Sequence, residues 1–155
     1  MLGANNLPLN VIESGSRGNK AFLFIHGSGQ GAISWKKQLQ SSLQYDFHLV
    51  AFDLRGHGSS GKPRFIEDYD RACIWAEDIQ RIMDSTGLER PVLVGWSKVG
   101  LMVMHYIACF GVDSIAGIVL VSSQAKLVDV SPSFGLEMAK ASQKQLRSRD
   151  INTVL

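Results

Sequence analysis

An α/β fold, with a predominantly parallel sheet and helices on both faces, is predicted for this 155-residue chain by three observations. Short continuous apolar runs recur at Ala21–Ile25, Phe47–Phe52, Pro91–Trp96 and Ile115–Val121. Helix-patterned segments separate them, and glycine- and serine-rich loops follow their C-terminal ends. Strands buried on both sides read as unbroken apolar runs, so the alternation predicts three layers, α/β/α.

Taken in order, residues 1–20 are polar, and Leu7–Glu13 alternates well enough for one edge strand. Ala21–Ile25 is the first buried strand, and Gly27–Gly31 is the loop after it. Ile33–Leu43 reads as a helix, with Trp35, Leu39 and Leu43 on one face. The strand Phe47–Phe52 runs into the turn-rich segment 53–63. Tyr69–Ser85 is the clearest helix, with Cys73, Ala76, Ile79 and Met83 as an apolar stripe and Asp68 or Asp70 available to cap it. The strand Pro91–Trp96 precedes an apolar helix, Lys98–Phe110, which Gly111 is placed to end. Ile115–Val121 is the fourth buried strand, and Ser131-Pro132 opens a weakly amphipathic segment that extends to Arg147.

Composition narrows the functional classes. Apolar residues make up 45% and charged residues 19%, as in ordinary globular domains, and a net charge of +2 offers no electrostatic footing for nucleic acid. No run is apolar enough to span a bilayer, and no secretory signal is visible, so the expected location is the cytoplasm without membrane attachment. Cys73 and Cys109 are expected to be reduced, buried thiols. No Cys/His spacing suggests zinc, and neither a metal nor a cofactor is expected.

In sheets of this kind, function sits in the loops at the C-terminal ends of the strands. Three such loops carry chemistry. Gly95-Trp96-Ser97-Lys98-Val99-Gly100 puts a serine at a sharp strand-to-helix turn, clear of the backbone and at a helix N-terminus that favours an oxyanion. His26-Gly27-Ser28-Gly29-Gln30-Gly31 lets backbone N–H groups approach developing negative charge. Asp53-Leu54-Arg55-Gly56-His57-Gly58-Ser59-Ser60 reads as a rigid hydrogen-bonded corner.

These motifs, in this order and at these strand ends, resemble the α/β-hydrolase superfamily, in its serine-hydrolase branch. The resemblance runs from about Leu7 to Leu127, and it implies attack by Ser97 on the carbonyl of an ester or similar acyl bond. The N–H groups of Ser28 and Lys98 would form the oxyanion hole. His26, Gly27, Asp53, Arg55, His57 and Trp96 would line the pocket or support it. Val99 stands where the G-x-S-x-G pattern has glycine, and Gly100 comes one position late.

In that family the acid and the histidine follow later strands. Here no histidine lies beyond His105, which is eight residues past Ser97, or about 12 Å along a helix. His48 opens a strand at the far end of the sheet. His57 is the histidine placed to substitute as base, and Asp129 is the candidate acid after the fourth strand. Residues 1–127 are therefore expected to be the N-terminal core of the domain, and 128–155 the start of a cap or a truncated tail. The strand 115–121 would then be an open edge able to drive self-association. The expected partner is a small ester-like substrate or an apolar ligand.

Two alternatives accompany this reading. One is a non-catalytic relative that binds a small ligand or a partner. The other is a dinucleotide-binding protein, because Gly27-Ser28-Gly29-Gln30-Gly31-Ala32 satisfies G-x-G-x-x-A after a strand and Asp53 ends the next one.

Overall fold

Five strands form one sheet in the order β1-β3-β2-β4-β5 in the computed structural model, which describes residues 1–71 and 73–123. They are β1 Val11–Ser14, β2 Ala21–Ile25, β3 His48–Phe52, β4 Val92–Trp96 and β5 Gly117–Val121. Only β1 runs antiparallel, against β3; the β2–β3, β2–β4 and β4–β5 pairs are parallel. All four buried runs named above are strands, each beginning within two residues of its expected start.

Helices cover both faces. On one, α3 (Ile74–Thr86) and α4 (Gly100–Phe110) pack together over Leu23, Ile25, Val50, Phe52 and Leu93. On the other, a 3-10 turn at Ala32–Trp35 and the single turn α1 (Lys36–Leu39) bring Trp35 and Leu39 onto Phe24, Leu49, Ala51 and Val94. The two sets alternate along each strand, as the two-residue side-chain period of a strand requires. Among the described residues β5 is a sheet edge, with Val119 and Val121 exposed.

Several local expectations are corrected. Instead of one helix, residues 32–45 form the 3-10 turn, α1 and a second 3-10 turn at Ser42–Tyr45, capped by the Ser41 hydroxyl. Only Trp35 and Leu39 of the expected face are buried; Leu43 is exposed. The helix expected at 69–85 is split into α2 (Glu67–Asp70) and α3, with Cys73 between them in a left-handed conformation, φ 60°. Neither Asp68 nor Asp70 caps α3, whose N-cap is Cys73 with no side-chain hydrogen bond.

The thiol expectation fails as well. Cys73 and Cys109 are joined as a disulfide, with Cα atoms 5.9 Å apart, tying the start of α3 to the end of α4. That contact links positions 36 residues apart, so sequence spacing alone gave no sign of it. No described helix is long and apolar enough to cross a membrane. The 131–147 segment, Asp129 and the boundary at 127/128 lie outside the described residues.

Candidate functional site

The strand β4 ends at Trp96, and the chain turns through Ser97–Val99 as one 3-10 turn before entering α4. Ser97 is half-buried with φ 61°, a left-handed conformation that costs a non-glycine residue about 1–2 kcal/mol. Such strain persists only where surrounding structure enforces it, and it clusters at functional sites. Trp96 leans to the opposite face, edge-on to Trp35 with ring centres 6.3 Å apart.

Two glycines allow this turn. A Cβ on Gly95 would stand 2.7 Å from the Cα of Gly100 and 2.9 Å from a methyl of Val103. The close passage of strand and helix is thus made by Gly95 against Gly100. Val99 does not crowd it: its side chain is fully buried in the core beneath α3 and α4. Gly100 in turn faces Ser123, two residues past the end of β5, whose hydroxyl would collide with any Cβ placed there. Gly95→Val is therefore expected to lower stability by about 1–3 kcal/mol through overpacking, read as a reduced urea midpoint.

The loop after β2 meets the same place. A Cβ on Gly27 would lie 3.3 Å from both the Ser97 Cβ and the Trp96 ring, so the absence of a side chain lets the two loops touch. Gly27 to Gln30 forms a β-turn, closed by Gln30 N–H to Gly27 O at 3.1 Å, with Gly29 at φ 72° and Ser28 exposed at its tip. His26 is fully buried with both nitrogens engaged: Nδ1 lies 2.8 Å from Gly27 O, and Nε2 accepts from Leu54 N–H at 3.0 Å. Burial lowers its imidazole from 6.5 to about 4; the hydrogen bond to Gly27 and the charge of Asp53 oppose this only in part, and His57 adds to it. A neutral ring fixed at both ends braces the loop.

Asp53 is the hub between loops. Its carboxylate accepts from Ala32 N–H at 2.6 Å, Ser59 N–H at 2.8 Å and the Asn10 amide at 2.9 Å. Burial works against its ionisation, yet these donors prevail and hold it below its ordinary value. The Ser60 hydroxyl donates to Asp53 O and accepts from Asn10 N–H, closing the corner. Three protein donors already hold the Asp53 carboxylate, so its role among the described residues is to tie the loops together. The loop at 27–31 also feeds a 3-10 turn and the one-turn α1, not the long helix whose N-terminus would hold a pyrophosphate.

Arg55 points into the core. It is 1% exposed and forks onto Asp78 of α3, Nε to Oδ2 at 2.7 Å and Nη2 to Oδ1 at 2.8 Å. Its Nη1 reaches Asp68 O at 2.5 Å, and its guanidinium lies 5.7 Å from the Trp75 ring centre. Asp78, fully buried, also accepts from Ala4 N–H. Sequence reading missed Asp78, because nothing local marks an acid on an otherwise apolar stripe as paired. His57 is buried, and burial holds its imidazole below the ordinary value; its Nδ1 lies 3.0 Å from Arg55 O, while Nε2 has no partner among the described residues. Its ring centre is 5.2 Å from that of His26. His48, at the other end of β3, is paired with Glu13 at 3.0 Å.

An open cleft of about 460 Å³ runs beside this corner, lined among others by Ile12, Gly29, Gly31, Ile33, Asp53 and Ser59. The structure thus brings the loops of Ser28, Asp53 and Ser97 to one end of the sheet, and sends Arg55 inward.

A family model described as the alpha/beta hydrolase fold matches residues 20–152. The chain is 32% identical over 125 residues to epoxide hydrolase A of Mycobacterium tuberculosis, covering 81% of this chain and 38% of that protein. It is 32% identical over 114 residues to a bifunctional esterase/perhydrolase of Acinetobacter calcoaceticus, covering 74% and 40% respectively. The crystal structure of an esterase from Rhodococcus sp. ECU1013 superposes with TM-score 0.71 at 31% identity, covering 79% of this chain and 44% of that one. The chain spans about two fifths of the length of these relatives.

Proposed function

This chain belongs to the α/β-hydrolase fold family, and from that premise we propose that it serves hydrolysis of an ester or similar acyl bond, with Ser97 as the nucleophile. The observation that carries the reading is Ser97 itself, held at φ 61° between β4 and α4 with the Gly27 loop packed against it. The N–H groups of Ser28 and Lys98 are the proposed oxyanion donors, one from each loop.

Relatives named for epoxide and for ester hydrolysis both match, and the residue type at the turn separates the two chemistries. A serine oxygen that attacks an acyl carbon forms an ester, which water can then cleave. The same oxygen attacking an epoxide carbon forms an ether, with no carbonyl for water to attack. A covalent route through Ser97 therefore favours acyl substrates.

Ser97 needs a proton acceptor. Of the described histidines near this end of the sheet, His26 has both nitrogens engaged; the Nε2 of His57 has no partner among the described residues, Ser97 included, and His57 is the proposed acceptor within this segment. A fluorophosphonate probe tests the reading. One covalent adduct per chain on Ser97, found by intact-mass and peptide mass spectrometry and absent in Ser97→Ala, is the expected result. A folded chain that takes no label overturns the nucleophile. It would favour the second reading, a non-catalytic binder of small ligands, for which the open cleft along Gly29–Gly31 and Ser59 is the supporting observation.

A further inference from the structure

A second cluster of chemically capable side chains lies away from Ser97, where α3 begins and α4 ends. His105 and Cys109 are four residues apart on α4 and so share one helix face. Cys73 reaches the same place from the left-handed residue ahead of α3. One ligand atom from each of the three falls within 4.8 Å of the other two. In the present state the two sulfurs are bonded to each other. The Nδ1 of His105 is buried and has no hydrogen-bond partner among the described residues. A buried ring nitrogen without a partner calls for a physical explanation, such as an ion bound in another state.

We propose that this cluster is a redox-gated site for a thiophilic cation of the zinc type, closed while Cys73 and Cys109 form a disulfide and opened by their reduction. A dithiol reductant supplies two electrons and two protons. The S–S bond breaks, Cys73 and Cys109 become thiols, and the reductant leaves as its own disulfide. Zn²⁺ then binds the two thiolates and the neutral imidazole, releasing two protons, with water in the fourth position. Tetrahedral zinc with sulfur at about 2.3 Å and nitrogen at about 2.0 Å sets its ligand atoms about 3.5–3.8 Å apart. With the sulfurs separated, ligand atoms within 4.8 Å of one another need only side-chain rotation to reach that spacing. Cytosolic thiols are kept reduced, so the open form is the one such a compartment would hold.

Spacing along the chain could not reveal this site, because its third ligand lies 36 residues before Cys109. Only the packing of α3 against α4 assembles it.

The test uses the full chain, reduced with a phosphine that is then removed under nitrogen, beside the oxidised chain. Zn²⁺ alone is titrated against a chromophoric chelator, with mass spectrometry reporting the cysteine state and circular dichroism the fold. One equivalent of zinc on the reduced chain and none on the oxidised chain is expected. His105→Ala leaves the disulfide intact when oxidised. When reduced, it is expected to bind zinc about 100-fold more weakly, because loss of even an outer-shell partner costs 10–100-fold. Cobalt(II) should give a thiolate charge-transfer band with the reduced chain that Cys73→Ser abolishes. A reduced chain that takes up no zinc, folded or not, overturns the proposal. So does a His105→Ala chain that binds zinc as tightly as the parent.

Discussion

Replacing Arg55 with methionine is expected to cost about 3–5 kcal/mol of stability, enough to unfold much of the population of a marginal domain. The guanidinium is 1% exposed and supplies two of the hydrogen bonds on the Asp78 carboxylate, which is itself fully buried. Without it, a carboxylate remains in the core with Ala4 N–H as its remaining donor. Asp68 O loses its partner, and Trp75 loses the cation over its ring. The measurement is the urea midpoint of Arg55→Met, Asp78→Leu and the double variant. The double variant should recover part of the loss, because removing both charges ends the burial of an unpaired ion. Recovery should be incomplete, since Ala4 N–H and Asp68 O are still left unsatisfied. A single variant as stable as the parent would show that water reaches Asp78.

The second large effect is a loss of stability in mild acid. His26 titrates at about 4 in the folded chain and at 6.5 when unfolded. As pH falls below 6.5 the unfolded chain takes up a proton that the folded chain refuses. The stability held by the neutral ring is therefore complete above 6.5 and is lost as pH falls toward 4. Below that both states are protonated and this contribution is flat. The span corresponds to about 3 kcal/mol, at about 1.36 kcal/mol per pKa unit. His57, also lowered, adds to the same loss. Asp53, lowered from 3.8, acts only below that value, so the two windows separate. Urea melts across this range should show falling stability from neutral pH toward pH 4. His26→Gln should flatten much of that slope, at some cost in stability at neutral pH. A parent chain of constant stability across the window would mean that the His26 ring is hydrated.

The site was only partly legible in the sequence. The three loops could be placed at the same sheet end because they follow parallel strands, and parallel strands put their C-termini together. Ser97 was marked by the strand before it and the helix after it. Its fit depended on which glycine meets which. The motif pattern points to Val99, but the backbone contact is Gly95 against Gly100, the first residue of α4 after the 3-10 turn at Ser97–Val99. Gly27 could be read as a loop glycine, but its contact with Ser97 and Trp96 could not. Asp53 and Arg55 stand two residues apart in one motif, yet one ties surface loops together and the other enters the core. Nothing in the spacing distinguishes these fates, since each is decided by a partner from a distant element, Ala32 for one and Asp78 for the other.

The α/β class, the buried strands and the end of the sheet where the candidate site lies were all readable from residue order. These rest on hydrophobic periodicity and turn chemistry, which are properties of neighbouring residues. The break at Cys73, the breakup of the expected helix at 33–43, the Arg55–Asp78 pair and the meeting of Cys73, His105 and Cys109 came instead from three-dimensional packing. Each of these depends on residues far apart in the chain being pressed together. A left-handed Cys73 is tolerated where the disulfide and the packing of α3 on α4 hold it, and a buried charge is tolerated where its counterion arrives with another element. Short-range pattern carries no term for such pairings, so they become visible only once the sheet and its helices are assembled.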